Sequence, residues 1–230
     1  SSIKPHWGHE ISVDYLPIST VAKGNFKGAY VLVERAAGYA WAYLTPAHNS
    51  SWLYKAICHV RTCLLRQQVQ LRVGRTDAGR VEATQQLAAK LAELSITVNA
   101  ATPEAQYQNF VERFIQTAVR GIATNLLAQP FLDNSFWGMA LLAWVRAWNC
   151  RPNTSSAPFS PVYALTGHHP DVAKQFKYAF GSPVVSRILR TAPVKFKFGP
   201  AGEMGYVVWA TLSPPTVLPS SSFRIRGITW

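Results

Sequence analysis

Acidic residues are scarce in this sequence. Only 11 of the 230 residues are Asp or Glu, against 23 Lys and Arg, which leaves a formal net charge of +12. A chain with so little negative charge indicates a polyanionic partner. We expect nucleic acid first and an anionic membrane surface second.

Cysteine is also rare. Cys58, Cys63 and Cys150 are the three cysteines, and none of them forms a C-x-x-C pair. This set excludes a disulfide framework and a zinc site, so we expect free buried thiols in a reducing, intracellular compartment. His6 and His9 are spaced as H-x-x-H, but without a nearby cysteine pair we expect solvated or RNA-contacting histidines.

Long apolar runs are missing as well. The run S-F-W-G-M-A-L-L-A-W-V is too short to span a membrane and is followed by Arg146. No signal-peptide pattern opens the chain, and we expect no membrane partner. Because the first residue is Ser rather than Met, we expect a processed or trimmed product.

Apolar residues are nevertheless abundant, at 48% hydrophobic and 12% aromatic. Such a composition indicates a folded chain, and the length suits one domain with an appendage. We expect an N-terminal extension at 1–10, a core at 11–150, a Pro/Ser/Thr-rich connecting segment at 151–181 and a basic, β-rich appendage at 182–230.

Runs typical of strands and helices follow one another in a definite order. The patterns predict strands at 11–15, 29–34, 39–44, 70–75 and 96–99, with turn residues over 18–28. They predict helices at 49–67, capped by Asn49, at 84–94, at 105–128 and at 136–148, the last capped by Asn134 and Ser135. The order βββαβαβα with a further helix predicts an α/β RNase H-like fold, a mixed five-stranded sheet flanked by helices.

Three acidic residues are placed where a catalytic site could form. Asp14 and Asp77 end the first and fourth predicted strands, which are neighbours in this topology, and Glu112 is near the start of the helix at 105–128. Clustered carboxylates are hard ligands suited to Mg²⁺, as in two-metal phosphoryl transfer. Simpler roles remain open: a cap or turn for Asp14, a turn for Asp77 and a solvated helix position for Glu112.

Several stretches in the right order resemble one family. T-P-E-A-Q-Y-Q-N-F-V-E-R-F-I-Q-T is similar to a P-x-x-Q-N-G-x-x-E-R-x-x-x-T helix, and R-T-D-A-G-R to an S-D-N-G turn. N-S-F-W-G-M-A-L-L-A-W-V-R-A-W-N-C-R-P, S-A-P-F-S-P-V-Y-A-L-T-G-H-H-P-D and the pair Phe180-Gly181 are similar to landmarks further along. Residues 11–181 resemble the integrase catalytic core of copia-type retrotransposons.

The resemblance implies an RNase H-like fold and a catalytic triad of Asp14, Asp77 and Glu112. It implies two Mg²⁺ or Mn²⁺ ions, DNA strand transfer and a nuclear location.

Residues around the triad depart from the family and define an alternative. Ala78 stands for an Asn, and Phe110 stands for a Gly that allows close backbone approach. The alternative is a domesticated, catalytically idle RNA-binding subunit of a ribonucleoprotein such as a mitochondrial ribosome, with ribosomal RNA as partner and no metal. A generic RNase H-fold nuclease is a weaker third hypothesis.

Basic residues without interleaved acids predict phosphate contacts, with a merely solvated face as the alternative. The predicted contacts are Lys174, Lys177, Arg187, Arg190, Lys195 and Lys197, together with Arg113 and Arg120 on the predicted helix at 105–128.

The helix at 136–148 is apolar nearly all round. We expect its Trp137, Trp144 and Trp148 to be core residues rather than base-stacking platforms. Such a helix is either deeply buried or a contact for other protein subunits.

Overall fold

The computed structural model describes residues 8–77, 85–101, 108–152, 158–187 and 202–206. For residues 77, 100, 101, 108, 109, 184–187 and 202–206 the description is of the backbone alone. The chain divides into two compact units, of which the first ends at Asp171 and the second begins at Val172.

The first unit is built on a five-stranded sheet. Its strands are β1 (Glu10–Ala22), β2 (Phe26–Glu34), β3 (Ala40–Thr45), β4 (Val73–Asp77) and β5 (Thr97–Ala101). They lie in the order β3-β2-β1-β4-β5. The three strands β1, β2 and β3 are antiparallel, whereas β4 runs parallel to both β1 and β5. The predicted mixed five-stranded sheet is therefore confirmed.

Helices cover both faces of this sheet. They are α1 (Ser50–Arg66), α2 (Gln85–Ala92), α3 (Gln108–Leu127), α4 (Trp137–Cys150) and the short α5 (Pro161–Thr166). As predicted, Asn49 caps α1: its side chain accepts a hydrogen bond of 3.1 Å from the Trp52 backbone N–H. Asn49 thereby satisfies one of the helix's free N-terminal donors.

The main hydrophobic core lies on the α1 and α2 side of the sheet. Alternate residues of β1, namely Ile11, Val13 and Tyr15, belong to this core. They meet a row of α1 side chains spaced three or four residues apart, from Leu53 to Leu64. Because side chains alternate along a strand, the even-numbered residues of β1 face the other side.

The other side of the sheet is covered by α3 and α4. Gly138 of α4 lies so close to Leu44 of β3 that an added Cβ would be 2.9 Å from that side chain. Phe114 of α3 contacts Trp144 and Trp148 of α4 edge-on, with ring centroids 5.3 and 5.1 Å apart. The two helices thus form one layer.

The predicted turn over 18–28 is wrong in extent. β1 continues to Ala22, and the turn is confined to residues 23–25, where Gly24 and Asn25 have φ values of 92° and 63°. Gly28 is a residue of β2. A Cβ added to it would lie 2.7 Å from the Leu16 carbonyl oxygen of β1. Close packing against β1, and not a turn, requires that glycine.

Two further boundaries also differ from prediction. The strand predicted at 70–75 begins at Val73, the first residue that pairs with β1, and ends at Asp77, the last residue that pairs with β5. A 3₁₀ turn over 134–136 precedes α4, and the side chain that caps it is Asp133, which accepts from the Ser135 N–H at 2.7 Å.

The second unit contains α6 (Val172–Gln175) and an antiparallel pair of strands, β6 (Pro183–Arg187) and β7 (Gly202–Tyr206). Within the described ranges, no helix is both long and apolar enough to cross a membrane.

Candidate active site

Asp14 lies on the sheet face that α3 covers. It is an even-numbered residue of β1, between the core residues Val13 and Tyr15, and its side chain is half-buried. One carboxylate oxygen accepts a hydrogen bond of 2.7 Å from the Tyr15 backbone N–H. The carboxylate therefore lies at the boundary between the core and solvent.

Asp77 is the last residue of β4, where it pairs with Ala101 of β5. The parallel register of β1 and β4 places Ser12 opposite Arg75. Continued by two residues, this register would bring Asp14 level with Asp77 on the neighbouring strand. β1 and β4 are neighbours as predicted, but Asp14 lies within β1, which continues to Ala22, and not at its end. The Asp77 side chain lies outside the described part.

Glu112 lies in the second turn of α3 and is exposed. Its neighbour Val111 is buried, together with Phe114, Ala118 and Ile122, and α3 packs on β1. Only six residues separate the end of β5 at Ala101 from the start of α3 at Gln108. Glu112 therefore lies on a helix that begins near the end of the sheet at which Asp77 is the last residue of β4.

A metal ion would find oxygen donors of the right kind here. Among the side chains that the structure describes, no three His, Cys, Asp or Glu lie close enough together to hold a metal. The Asp77 side chain is not among them, so the predicted three-carboxylate group is described only in part. Asp14 and Glu112 supply the hard oxygens that Mg²⁺ prefers, and the chemistry of the donor set fits that ion.

The predicted basic residues fall into two groups. Arg113 and Arg120 are exposed on α3, seven residues and therefore about 10 Å apart on one side of the helix. Lys174 and Lys177 are exposed in the second unit. Only the backbone of Arg187 is described; Arg190, Lys195 and Lys197 lie outside the described residues.

The tryptophans of α4 are core residues, as predicted. The indole N–H of Trp137 donates to the Thr20 carbonyl at 2.7 Å, and that of Trp148 donates to the Gly38 carbonyl at 3.0 Å. Within α4 only Ala147 is exposed. The helix is therefore largely covered by its own chain, and its contact with other subunits stays a prediction.

None of the three cysteines forms a disulfide bond, and all three are half-buried. Burial raises the pKa of the Cys63 and Cys150 thiols. A raised pKa keeps a thiol protonated, which does not suit a nucleophile.

Sequence reasoning missed the role of Glu34. Its side chain is almost fully buried and accepts hydrogen bonds from the backbone N–H groups of Gly8, Ala36 and Ala37, at 2.8, 2.9 and 2.5 Å. Burial raises the pKa of this carboxyl, and the three donors oppose that rise. The signal for a structural role was its place at the end of an apolar strand, just before the R-A-A-G turn.

The structural role of Asn149 was likewise not predicted, because the residue was noted only as part of the N-C-R-P motif. Its buried amide accepts from the Ala40 N–H at 2.8 Å and donates to the Ala40 carbonyl at 2.7 Å. This pair of hydrogen bonds joins α4 to the first residue of β3. No signal in the single sequence distinguishes this role from a catalytic one.

The arrangement of strands and helices was compared with known proteins. No protein-family model and no curated protein matches the chain. Solved structures do match. The simian T-cell lymphotropic virus intasome, solved in complex with the PP2A regulatory subunit B56 gamma, aligns with a TM-score of 0.57 and 17% identity, over 72% of this chain and 56% of that one.

The HTLV-2 integrase catalytic core domain in complex with magnesium aligns in two structures, one of a trimeric and one of a dimeric form. The trimeric form has a TM-score of 0.53 and 16% identity over 69% of this chain and 96% of that one. The dimeric form has the same TM-score and 15% identity over 70% and 96%. The chain has the RNase H-like fold of integrase catalytic cores.

At identities this low the likeness establishes the integrase fold and not the reaction. The chain covers little more than half of the intasome chain.

Proposed function

We propose that this chain is an integrase-like, nucleic-acid-binding core of copia type that transfers DNA strands. The observation that carries the proposal is the parallel pairing of β1 with β4 up to Ser12 and Arg75, a register that would bring Asp14 level with Asp77 if it continued by two residues. Asp14 shares its sheet face with α3, the helix that bears Glu112. The magnesium bound to the HTLV-2 core of the same fold supports the choice of metal.

In this proposal Asp14, Asp77 and Glu112 hold two Mg²⁺ ions. When bound, such ions activate a water or a DNA 3′-hydroxyl and stabilise the leaving oxygen. The chain itself supplies the rest. The Tyr15 N–H orients the Asp14 carboxylate, and Arg113 and Arg120 contact backbone phosphates of the bound strand. The proposed location is the nucleus.

Replacing Asp14 with Asn tests the proposal directly. We expect nicking and strand transfer of labelled DNA with Mg²⁺ or Mn²⁺, and a loss of about a hundredfold in Asp14→Asn, which is about 2.7 kcal/mol of barrier. Glu93→Gln, a change at an exposed acid after α2, is the matched control and should keep full activity. Equal background rates from wild type and Asp14→Asn would refute the proposal.

Metal binding can be measured without catalysis. Mg²⁺ or Mn²⁺ should raise the Tm of the wild type, because a ligand that binds only the folded state stabilises it. The same ions should leave the Tm of Asp14→Asn unchanged.

A second candidate function is supported by Phe110. This half-buried ring lies in the first turn of α3, where the copia-type pattern has glycine. A bulky side chain beside the metal site favours an idle, RNA-binding subunit of a ribonucleoprotein, such as a mitochondrial ribosome. Co-sedimentation with ribosomal RNA in high-salt gradients tests it, and a chain that sediments alone would contradict it.

A further inference from the structure

The stretch from Arg35 to Thr76 carries no acidic residue at all. It contains six basic ones, which are Arg35, Lys55, Arg61, Arg66, Arg72 and Arg75. Three of them belong to α1, whose buried side faces the main core. The positive charge of this helix is therefore displayed on its outer side.

The outer side of α1 forms a line of exposed residues. Lys55, Thr62 and Arg66 are all exposed and lie on the side opposite the buried row from Leu53 to Leu64. Lys55 and Arg66 are eleven residues apart, which is about 16 Å along the helix axis. That distance spans several phosphates of a nucleic-acid strand.

Aromatic rings and further cations flank this line. The Lys55 ammonium is 4.5 Å from the centre of the Trp52 ring. On the side toward α2, the Lys90 ammonium is 5.8 Å from the centre of the Tyr54 ring. The Cys58 hydrogen bond and the Glu93 carboxylate raise the pKa of the Tyr54 hydroxyl and the Arg61 charge opposes that rise, so one acid, Glu93, and one further cation, Arg61, lie near the ring.

Arg61 is half-buried on the flank of α1. Its Nε atom is closed to solvent, so a phosphate cannot reach that atom. What Arg61 adds to this side of the helix is the positive charge of its guanidinium.

The surface formed by Trp52, Tyr54, Lys55, Arg61, Arg66 and Lys90, here named the α1 surface, lies on the opposite side of the sheet from Arg113 and Arg120. A helix is about 10 to 12 Å across, so with the sheet between them the outer sides of α1 and α3 are more than about 20 Å apart. One short segment of nucleic acid therefore cannot contact the α1 surface and the α3 arginines at the same time.

We propose that the α1 surface binds the sugar-phosphate backbone of a second nucleic-acid segment, so that one molecule bridges two segments. The inference rests on the proposed function in that the partner is nucleic acid. A membrane is a poorer partner, because helices that lie on membranes present an apolar face to the lipid. The apolar face of α1 is occupied by the main core.

A bridging assay tests the proposal. Two short duplexes carrying a donor and an acceptor fluorophore are mixed with the protein, and energy transfer reports bridging. We expect transfer with the wild type and a loss of at least about tenfold in Lys55→Glu/Arg66→Glu. Single-duplex binding, measured by anisotropy, should persist in this variant through the α3 arginines.

Matched variants separate the two surfaces. Arg113→Glu/Arg120→Glu should also lose bridging while the α1 surface still binds one duplex. Lys55→Ala/Arg66→Ala, which introduces no new charge, should weaken bridging in the same direction. Light scattering should give the mass of a single chain for the wild type and for every variant, which excludes bridging through a dimer.

Each other outcome is decisive. Bridging by Lys55→Glu/Arg66→Glu at the wild-type level would overturn the inference, as would a wild type that binds one duplex but never two. A third outcome is that the wild type binds phosphatidylserine vesicles or a poly-glutamate peptide but does not bridge duplexes. If Lys55→Glu/Arg66→Glu loses that binding, the α1 surface belongs to another partner and the inference is overturned. If Asp14→Asn bridges normally while the wild type transfers no strands, the catalytic proposal fails and this inference stands.

Discussion

At the scale of single residues, two carboxylates on neighbouring strands lie in different surroundings. Glu34 ends β2 almost fully buried, with three backbone donors around it. Asp14 lies on β1, half-buried on the α3 side. A carboxylate enclosed by donors joins segments of chain, whereas one at the core boundary remains accessible to an ion. Burial and hydrogen bonding, rather than residue type, therefore separate structure from candidate chemistry.

Removing the Glu34 side chain should destabilise the fold strongly. In Glu34→Ala the N–H groups of Gly8, Ala36 and Ala37 lose their acceptor, and each buried unpaired donor costs about 1–3 kcal/mol. We expect the free energy of unfolding to fall by about 3 kcal/mol or more in urea titrations. Glu93→Ala, at an exposed acid, is the control and should stay within about 0.5 kcal/mol. An equal effect of both changes would contradict the assigned role.

The pH dependence of stability should carry the signature of Glu34. Burial raises the pKa of its carboxyl in the folded state above the ordinary value of 4.5. The folded state then binds a proton at higher pH than the unfolded state, so stability rises as the pH falls through the raised pKa toward 4.5. In Glu34→Gln this gain should vanish, which urea titrations across that pH range would show.

At the scale of elements, the contact between α3 and α4 depends on Gly121. An alanine Cβ there would run into the Trp144 indole. Alanine normally favours a helix by about 1 kcal/mol over glycine. Here we expect Gly121→Ala to destabilise by about 1–3 kcal/mol, because Trp144 is held between Phe114 and Trp148 and has little room to move.

Ala123→Gly, at an exposed position of the same helix, is the matched control. It should lose about 1 kcal/mol from helix propensity alone. Thermal unfolding followed by circular dichroism measures both changes, and a Gly121→Ala variant more stable than the wild type would refute the close contact.

Local patterns were enough to predict the order of strands and helices in the first unit. Apolar residues spaced by two identify the strands β1 to β5. Apolar residues spaced by three or four, with the cap at Asn49, identify the helices α1 to α4. The turn over 18–28 was misjudged, because Gly28 is required by packing against β1, a tertiary contact that propensity cannot show. The cap was predicted at Asn134 and Ser135 but is Asp133, one residue earlier. Asp, Asn and Ser all suit an N-cap, so residue type could not decide between these neighbours.

The candidate site was predictable only in outline. Topology alone indicated that β1 and β4 are adjacent, and their parallel pairing agrees, but Asp14 lies within β1 and not at its end. The pairing of Asn149 with Ala40 joins residues 109 positions apart. Such a contact has no local signature, so an asparagine in a family motif could equally have been catalytic.

At the scale of the whole molecule, the excess of positive charge is spread over both sides of the sheet. Arg113 and Arg120 lie on α3, and Lys55 and Arg66 lie on α1. A net charge of +12 should make nucleic-acid binding depend steeply on salt, because each phosphate contact releases counterions.

This salt dependence can be measured surface by surface. For each phosphate contact removed, the slope of log K against log salt concentration should shrink by about one. Neutralising Arg113 and Arg120 to alanine should therefore reduce the slope by about two in single-duplex titrations by anisotropy. An unchanged slope would show that α3 does not contact phosphates.

The parallel pairing of β1 with β4 also bears on the order in which the chain folds. The strands β1, β2 and β3 assemble from neighbours in sequence, whereas Ile11 must find Gly74, 63 positions away. Contacts between distant residues close large loops and form slowly. The pairing of β1 with β4 should therefore be among the last steps of folding, and a chain still emerging from the ribosome should have the hairpins before these two strands pair.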